Sequence, residues 1–270
     1  GSPVNFSGKL YNMVFYGTDE NGFIDYNDIY DKIVKYKPKM VVAGASAYSR
    51  TIYYNLVREA IDKAALEIGF TPYMFVDMAH VAGLIAGGAH MSPFGYADFI
   101  TTTTQKSCRG CRGGIIFCLP ELAKKVDSAV FPYAQGGSLM NEIAGKAVTA
   151  EEMLRPEFKT YAQMVVTNAK IMAEEFVKMG YDVVTGGTDN HMFLLDFSKT
   201  HPNLTGKMVQ DELDKHGITL NKNSVPNEQR SPMQTSGVRI GTPAMTTLGY
   251  GPDDFIKVAH LIDEIIENMK

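Results

Sequence analysis

Cysteine is scarce in this chain, with three in 270 residues. So few cysteines in a chain of this length do not form a disulfide framework. The opening stretch, GSPVNFSGKLYN, also lacks the basic-then-apolar layout of a signal peptide. We therefore expect a reducing, cytoplasmic setting.

A large excess of one charge is lacking as well. The net charge is -4, so there is no global basic field to attract nucleic acid. No apolar run is long enough to span a bilayer. The histidines show no metal-ligand spacing, and the C-x-x-C pair of Cys108 and Cys111 is followed by no second pair, as a zinc site would need. We expect no nucleic-acid partner, no membrane contact and no metal.

The first 120 or so residues alternate short apolar strands with amphipathic helices. Strand patterns cover 39–44, 73–76, 98–103 and 114–118, and helix patterns cover 25–37 and 54–68. This alternation predicts an α/β fold with a mostly parallel sheet and helical crossovers.

From about Gly137 the pattern changes. Residues 139–179 are predicted to be mostly helical, with a break near Pro156. Strands at 181–184, 191–196 and 237–240 and helices at 204–216 and 253–269 follow. These elements predict a smaller α+β domain.

Two candidate side chains stand at predicted strand ends. Asp77 ends the strand YMFVD, and Lys106 follows the run ITTTT. Ligand groups gather at the carboxyl ends of parallel strands, so we expect the two segments to converge. A lysine here pairs with phosphate or forms a Schiff base, and the P-loop pattern is absent. A Schiff base with pyridoxal phosphate needs an acid beside the pyridine nitrogen, as Asp77 could supply.

Both residues also have plain structural interpretations. From its own position, Lys106 could be a solvated loop lysine. Asp77 could equally cap the backbone of the residues that follow it, Met78, Ala79 and His80. The two residues alone leave these alternatives open.

Longer motifs occur in one order along the chain. They are VDMAHVAGL (76–84), TTTTQKSCRGCRGG (101–114), YAQGGSLMNEIAGKAV (133–148), NKNSVPN (221–227) and SGVRIGTPAMTTLG (236–249). Together they closely resemble serine hydroxymethyltransferase, a pyridoxal phosphate enzyme of the aspartate aminotransferase fold. The resemblance implies a large pyridoxal phosphate-binding domain over 1–150 and a smaller C-terminal α+β domain over 151–270.

The resemblance implies a role for several residues around the cofactor. Lys106 matches the lysine that forms the aldimine with pyridoxal phosphate, and Asp77 matches the aspartate at the pyridine nitrogen. His80 matches a histidine near the cofactor's phenolic oxygen, and Ser46 a serine that lines the same pocket. Lys106, Asp77 and His80 are thus the expected catalytic residues.

Other matches concern the substrates and a neighbouring subunit. Arg239 matches the arginine that grips the substrate carboxylate, and Asn223 a residue at the folate site. Gly136 and Gly137 match a glycine pair whose backbone reaches the cofactor phosphate of a neighbouring subunit. The resemblance therefore implies a homo-oligomer, a dimer or higher.

The activity implied by the resemblance is the interconversion of serine and tetrahydrofolate with glycine and 5,10-methylenetetrahydrofolate. This reaction belongs to one-carbon metabolism and glycine biosynthesis. Pyridoxal phosphate would be the cofactor and tetrahydrofolate the co-substrate.

The chain departs from the family pattern in two respects. Gln105 stands where the family usually has histidine. In the family, a further segment precedes GSPVNFSG and carries part of the cofactor-binding site, and this sequence does not include that segment. We therefore expect a truncated member with weak cofactor binding and impaired activity alone. The alternatives are another pyridoxal phosphate enzyme of the same fold type, such as a threonine aldolase, or a non-catalytic fragment or paralogue that acts as an assembly subunit.

Overall fold

The first part of the chain builds a four-stranded sheet in the computed structural model, which describes residues 2–269. Its strands are β1 (Met40–Ala43), β2 (Tyr73–Asp77), β3 (Phe99–Thr103) and β4 (Gly114–Cys118), in the spatial order β1-β2-β3-β4. The first three strands are parallel, whereas β4 runs antiparallel to β3. Residues 104–113 are too few for a parallel crossover, which needs about a dozen residues or more. The sheet is therefore mixed and mostly parallel.

Two helices, at 26–36 and 54–68, lie within one residue of the bounds that the sequence pattern predicts. The helices of this part are α1 (Phe6–Leu10), α2 (Tyr26–Tyr36), α3 (Tyr54–Ile68), α4 (Ala82–Ala86) and α5 (Ala123–Ser128). The Asp25 carboxylate accepts the first free backbone N–H groups of α2, which fixes where that helix begins. Gly69 ends α3 in the left-handed conformation, with φ 83°.

Two long helices follow, α6 (Met140–Leu154) and α7 (Pro156–Lys178). The predicted break near Pro156 is confirmed. Arg155 between the helices is extended, because a proline disfavours the helical conformation of the residue before it. The first half of α7 packs Phe158 against Leu84, and its second half packs Phe176 into a separate cluster.

The second sheet is antiparallel throughout. Its strands are β5 (Asp182–Val183), β6 (Met192–Asp196), β7 (Asn221–Asn223) and β8 (Gly237–Gly241), in the order β5-β6-β8-β7. Its helices are α8 (Phe197–Thr200), α9 (Gly206–Lys215), α10 (Pro243–Thr247) and α11 (Pro252–Glu267). The sequence pattern did not predict β7, because its three residues are polar and have no apolar alternation.

Each sheet has a hydrophobic core of its own. Met74 and Ile61 are fully buried in the first core, and Phe176, Phe193 and Val238 in the second. Burying a side chain of this size contributes about 2 kcal/mol. The division of the chain into two domains at residue 150 stays a prediction.

A polar clasp joins the two parts. We use this name for the contacts between residues 48–51, which follow β1, and residues 185–190, which precede β6. Arg50 donates from Nη1 to Asp189 Oδ1 over 2.9 Å and from Nη2 to the Thr185 carbonyl over 2.7 Å. Asp189 Oδ2 also accepts from the backbone N–H of Thr51 over 3.1 Å. The clasp therefore fixes the start of β6 against the end of β1.

No helix in the described part of the chain is both long enough and apolar enough to cross a bilayer.

Candidate active site

Lys106 lies on a loop that is closed by its own hydrogen bonds. Thr104 donates from its backbone N–H to the Gly113 carbonyl over 3.1 Å, and its carbonyl accepts from Gly110 N–H over 2.8 Å. Its hydroxyl donates to the Cys111 carbonyl over 2.6 Å. Lys106 is exposed on this loop, and its Nζ donates to the Thr103 hydroxyl over 3.3 Å. The amine forms no ion pair with any residue between 2 and 269, so it is available to bind a ligand.

Gln105 contributes to the same closure. Its side-chain carbonyl accepts from Gly113 N–H over 3.3 Å. A neutral amide makes this bond at every pH near neutrality, whereas a histidine would titrate there. The departure from the family pattern at this position thus leaves the loop closed.

Asp77 stands at the same edge of the sheet as Lys106. It is the last residue of β2 and lies in register with Thr101 of the parallel strand β3, which leads into the lysine loop. Its Oδ1 accepts from Ala79 N–H over 3.1 Å, so Asp77 also caps the backbone that follows it. Asp77 is otherwise exposed and makes no ion pair within the described residues.

His80 lies among the charged side chains of this edge. Burial first, then the positive charges of Arg239 and Lys106, lowers the pKa of His80 to about 4, and the charge of Asp77 opposes this shift. The imidazole is therefore neutral near pH 7.

Arg239 reaches this edge from the second sheet. It lies on β8, and its Nη1 donates to the Ser46 carbonyl over 2.5 Å. Its Nη2 donates to Asn221 Oδ1 over 3.0 Å. Burial lowers the pKa of Arg239.

The other predicted site residues are Ser46, Asn223, Gly136 and Gly137. Ser46 contributes its carbonyl to Arg239, while Asn223 donates to its neighbour's carbonyl, that of Ser224, over 2.7 Å. Gly136 and Gly137 lie in an exposed stretch before α6, with open space around both. Within the described chain, the glycine pair is not brought to the Lys106 edge.

The structure adds three residues that sequence reasoning did not single out. Ser107 is buried beside Lys106, donates to the His80 carbonyl over 2.9 Å and accepts from Gly83 N–H over 3.0 Å. Asn221 supports Arg239. The buried ring of His191 meets that of His80.

A signal existed for only one of these three. Asn221 lies two residues before Asn223 in the same motif, and the alternation of a strand puts both side chains on one face. Ser107 and His191 come together with His80 only through tertiary packing. Their positions could not be read from the local pattern.

The site is an open edge of the sheet. Two cavities of about 810 and 710 Å³ lie elsewhere, one beside Tyr48 and the other beside Asp182. Neither Lys106 nor Asp77 is among the described residues that line them. A ligand at Lys106 would therefore meet the carboxyl ends of the strands directly.

Metal-ligating side chains do not cluster within the part of the chain that the structure describes. Among residues 2–269, no group of three or more His, Cys, Asp or Glu side chains is arranged to hold a metal ion. The three cysteines are free, and burial raises the pKa of the Cys108 thiol to about 11. That thiol is protonated near neutral pH and is a packing group.

The family model for serine hydroxymethyltransferase matches residues 1–262 of the 270-residue chain. The chain belongs to the serine hydroxymethyltransferase family. Members of this family are transferases that use pyridoxal phosphate. The α/β architecture of this chain, with its mostly parallel sheet, agrees with the fold of the family.

The residues at the Lys106 edge fit the cofactor of the serine hydroxymethyltransferase family. A lysine amine without an ion pair is suited to bind an aldehyde. A carboxylate at the adjacent strand end is suited to pair with a protonated ring nitrogen. His80 adds a neutral donor or acceptor between them. Lys106 would hold pyridoxal phosphate covalently, and Asp77 and His80 would contact its ring.

Proposed function

We propose that this chain interconverts serine and tetrahydrofolate with glycine and 5,10-methylenetetrahydrofolate, with pyridoxal phosphate as its cofactor. One observation carries the proposal. Asp77 ends β2, Lys106 lies on the loop that follows the adjacent parallel strand β3, and Arg239 reaches the same edge through its bond to the Ser46 carbonyl. An amine, a carboxylate and a guanidinium at one edge of the sheet are the groups that amino-acid chemistry on this cofactor needs.

When bound, pyridoxal phosphate supplies an electron sink for the bond that breaks in the substrate. The protein's own part is to hold the reacting groups. Asp77 would keep a proton on the ring nitrogen, and Lys106 would hold the cofactor through Nζ and exchange a proton at that atom. Ser107 holds the lysine loop against the residues after Asp77, so the amine and the acid keep their relative position.

Arg239 orients the substrate carboxylate. A guanidinium has five N–H donors in a rigid fork. Two of its nitrogens donate to Ser46 and Asn221, which immobilises the fork. The remaining donors are available for a carboxylate, and a paired contact of this kind fixes the amino acid in one orientation.

The folate and the neighbouring subunit involve other surfaces. Asn223 lies on the same strand as Asn221, so a folate near Asn223 would lie next to the amino acid. The exposed stretch around Gly136 and Gly137 also bears the exposed apolar side chains Tyr133, Leu139 and Met140. Apolar exposure of this kind favours contact with a second copy, which supports the proposed homo-oligomer.

Cofactor trapping tests the proposal without an activity assay. The chain is titrated with pyridoxal phosphate, reduced with borohydride to make any link to a lysine permanent, and mapped by peptide mass spectrometry. We expect one pyridoxyl group, on the peptide that contains Lys106. Lys106→Ala should lose the group, and Lys124→Ala, which changes an exposed lysine on α5, should retain it.

Serine cleavage is then measured with and without tetrahydrofolate. Cleavage that depends on folate supports the transferase, whereas folate-independent cleavage would point to an aldolase. A pyridoxyl group that stays in Lys106→Ala, or that maps to another lysine in the wild type, would refute the assignment of Lys106. Trapping without any cleavage would favour the non-catalytic alternative.

A further inference from the structure

His80 and His191 meet edge to edge. His80 Nδ1 lies 3.4 Å from His191 Nε2, and the ring centroids are 5.6 Å apart. The distance between the two ring centroids nearly equals the Nδ1–Nε2 distance plus the distance from centroid to nitrogen in each ring. The two nitrogens therefore lie almost on the line between the ring centres, which is the geometry of an N–H···N hydrogen bond.

One ring of this pair is buried and the other faces the site. His191 is 7% exposed, and its second nitrogen, Nδ1, has no hydrogen-bond partner among residues 2–269. Burial first, then His80, Arg239 and His90, lowers the pKa of His191 to about 3. Both histidines are neutral near pH 7, so each ring carries one N–H.

The buried Nδ1 decides which ring donates. If His80 donated, the single N–H of His191 would be on Nδ1, as a buried donor without an acceptor. Leaving a buried donor unsatisfied costs about 1–3 kcal/mol, and such orphaned N–H groups are rarer than orphaned acceptors. If His191 donates from Nε2, its Nδ1 carries a lone pair and no proton. No buried N–H group is then left without an acceptor.

We propose that His191 is a positioning residue that donates from Nε2 to His80 Nδ1 and thereby fixes the proton of His80 on Nε2. His80 then presents an N–H donor, rather than a lone pair, to a ligand at the Lys106 edge. This inference rests on the proposed function only for the identity of that ligand. The tautomer itself is a property of the protein.

The backbone around both rings is held in place. Thr188 and Asn190, which precede His191, are buried, and Asn190 donates to the Tyr48 carbonyl over 2.9 Å through the clasp. On the other side, Ser107 binds the His80 carbonyl. The two rings are thus brought together by separate parts of the chain, as a positioning contact requires.

Imidazole nitrogen resonances of the cofactor-free chain test the proposal. The chain is labelled with ¹⁵N-histidine, and His80 is assigned by the signal that is lost in His80→Asn. We expect protonated Nε2 and unprotonated Nδ1 on both rings near neutral pH. In His191→Leu, the His80 Nδ1 resonance should shift to the position of an unpaired nitrogen. In His191→Gln, whose amide can still donate, it should stay close to the wild-type position.

His216→Gln is the matched control, because His216 is exposed directly after the last residue of α9 and faces Glu212. It should leave the His80 resonances unchanged. A proton on Nδ1 of either His80 or His191 in the wild type would overturn the proposal, as would an unshifted His80 Nδ1 in His191→Leu. The wild-type and His191→Gln spectra decide the matter even if His191→Leu does not fold. A failed transferase assay would refute the proposed function and leave these spectra unaffected.

Discussion

At the scale of single residues, His191 couples protonation to stability. Its pKa in the folded protein is about 3, below the ordinary value of 6.5. Between these values the unfolded chain binds the proton and the folded chain does not. Stability therefore rises with pH across this window, and it is lost as the pH falls below about 6.5.

We predict a steeper acid loss of stability in the wild type than in His191→Leu. The difference should be about 1 kcal/mol of unfolding free energy per pH unit at its steepest, because one proton is bound on unfolding. Urea unfolding from neutral pH down to about pH 4 measures it. His80 contributes in the same direction, since its pKa is also lowered.

His216→Gln provides the control for this measurement, because its ring is exposed and its surface ion pair with Glu212 contributes little to stability. It should reproduce the wild-type slope. Equal slopes for the wild type and His191→Leu would mean that the pKa of His191 is not lowered in the folded protein.

The sequence predicted some residues of this edge and not others. Lys106 and Asp77 could be placed because strand ends converge in a parallel sheet, and the pattern marks both ends. His191 lies more than 100 residues from His80 in the sequence. Nothing local links the two, since the contact depends on how the segment before β6 is held against the residues that follow β1.

At the scale of elements, α4 and the lysine loop approach each other without space for a side chain. A Cβ on Gly83 would lie 2.2 Å from the Ser107 carbonyl oxygen and 2.9 Å from Cys108 N. Both of these are backbone atoms, so they can give way only if the loop moves. Lys106 would move with it.

We predict that Gly83→Ala lowers the unfolding free energy by about 1–3 kcal/mol, the usual cost of overpacking. It should also reduce the yield of pyridoxyl-Lys106 after borohydride trapping. Urea unfolding and peptide mapping measure the two effects. Gly17→Ala is the matched control, because a Cβ there meets nothing within 4 Å. Normal stability and trapping in Gly83→Ala would show that the loop accommodates the methyl group.

Sequence patterns predicted the longer elements well. The helix at 54–68 has the predicted bounds because Gly69 ends it, and the break at Pro156 lies where proline requires it. The strand β7 was missed because its polar residues are defined by pairing with β8 alone. The direction of β4 was also missed, although the short 104–113 connection could have indicated it.

At the scale of the whole molecule, the clasp joins the two sheets next to the site. Asp189 accepts from both Arg50 and Thr51, so its carboxylate ties β1 to the segment that carries His191. The sequence pattern predicted the order of the longer elements. It did not identify this contact, which depends on side-chain geometry between distant segments.

We predict a coupling energy of about 1 kcal/mol between Arg50 and Asp189 in a double-mutant cycle with Arg50→Met and Asp189→Asn. The cycle is measured by urea unfolding. Arg155 and Glu151, an exposed pair on neighbouring turns, serve as the control. Their coupling should stay below about 0.5 kcal/mol. A clasp coupling no larger than that of the control pair would mean that the clasp does not stabilise the contact between the sheets.

The closed lysine loop has a consequence for proteolysis. Lys106, Arg109 and Arg112 stand within residues 104–113, so trypsin has three potential cleavage sites there. A protease needs an extended segment of backbone in its cleft, and the hydrogen bonds of Thr104 hold this segment folded back on itself. Trypsin can cut here only while the loop is open. The cleavage rate under native conditions therefore measures how often the loop opens.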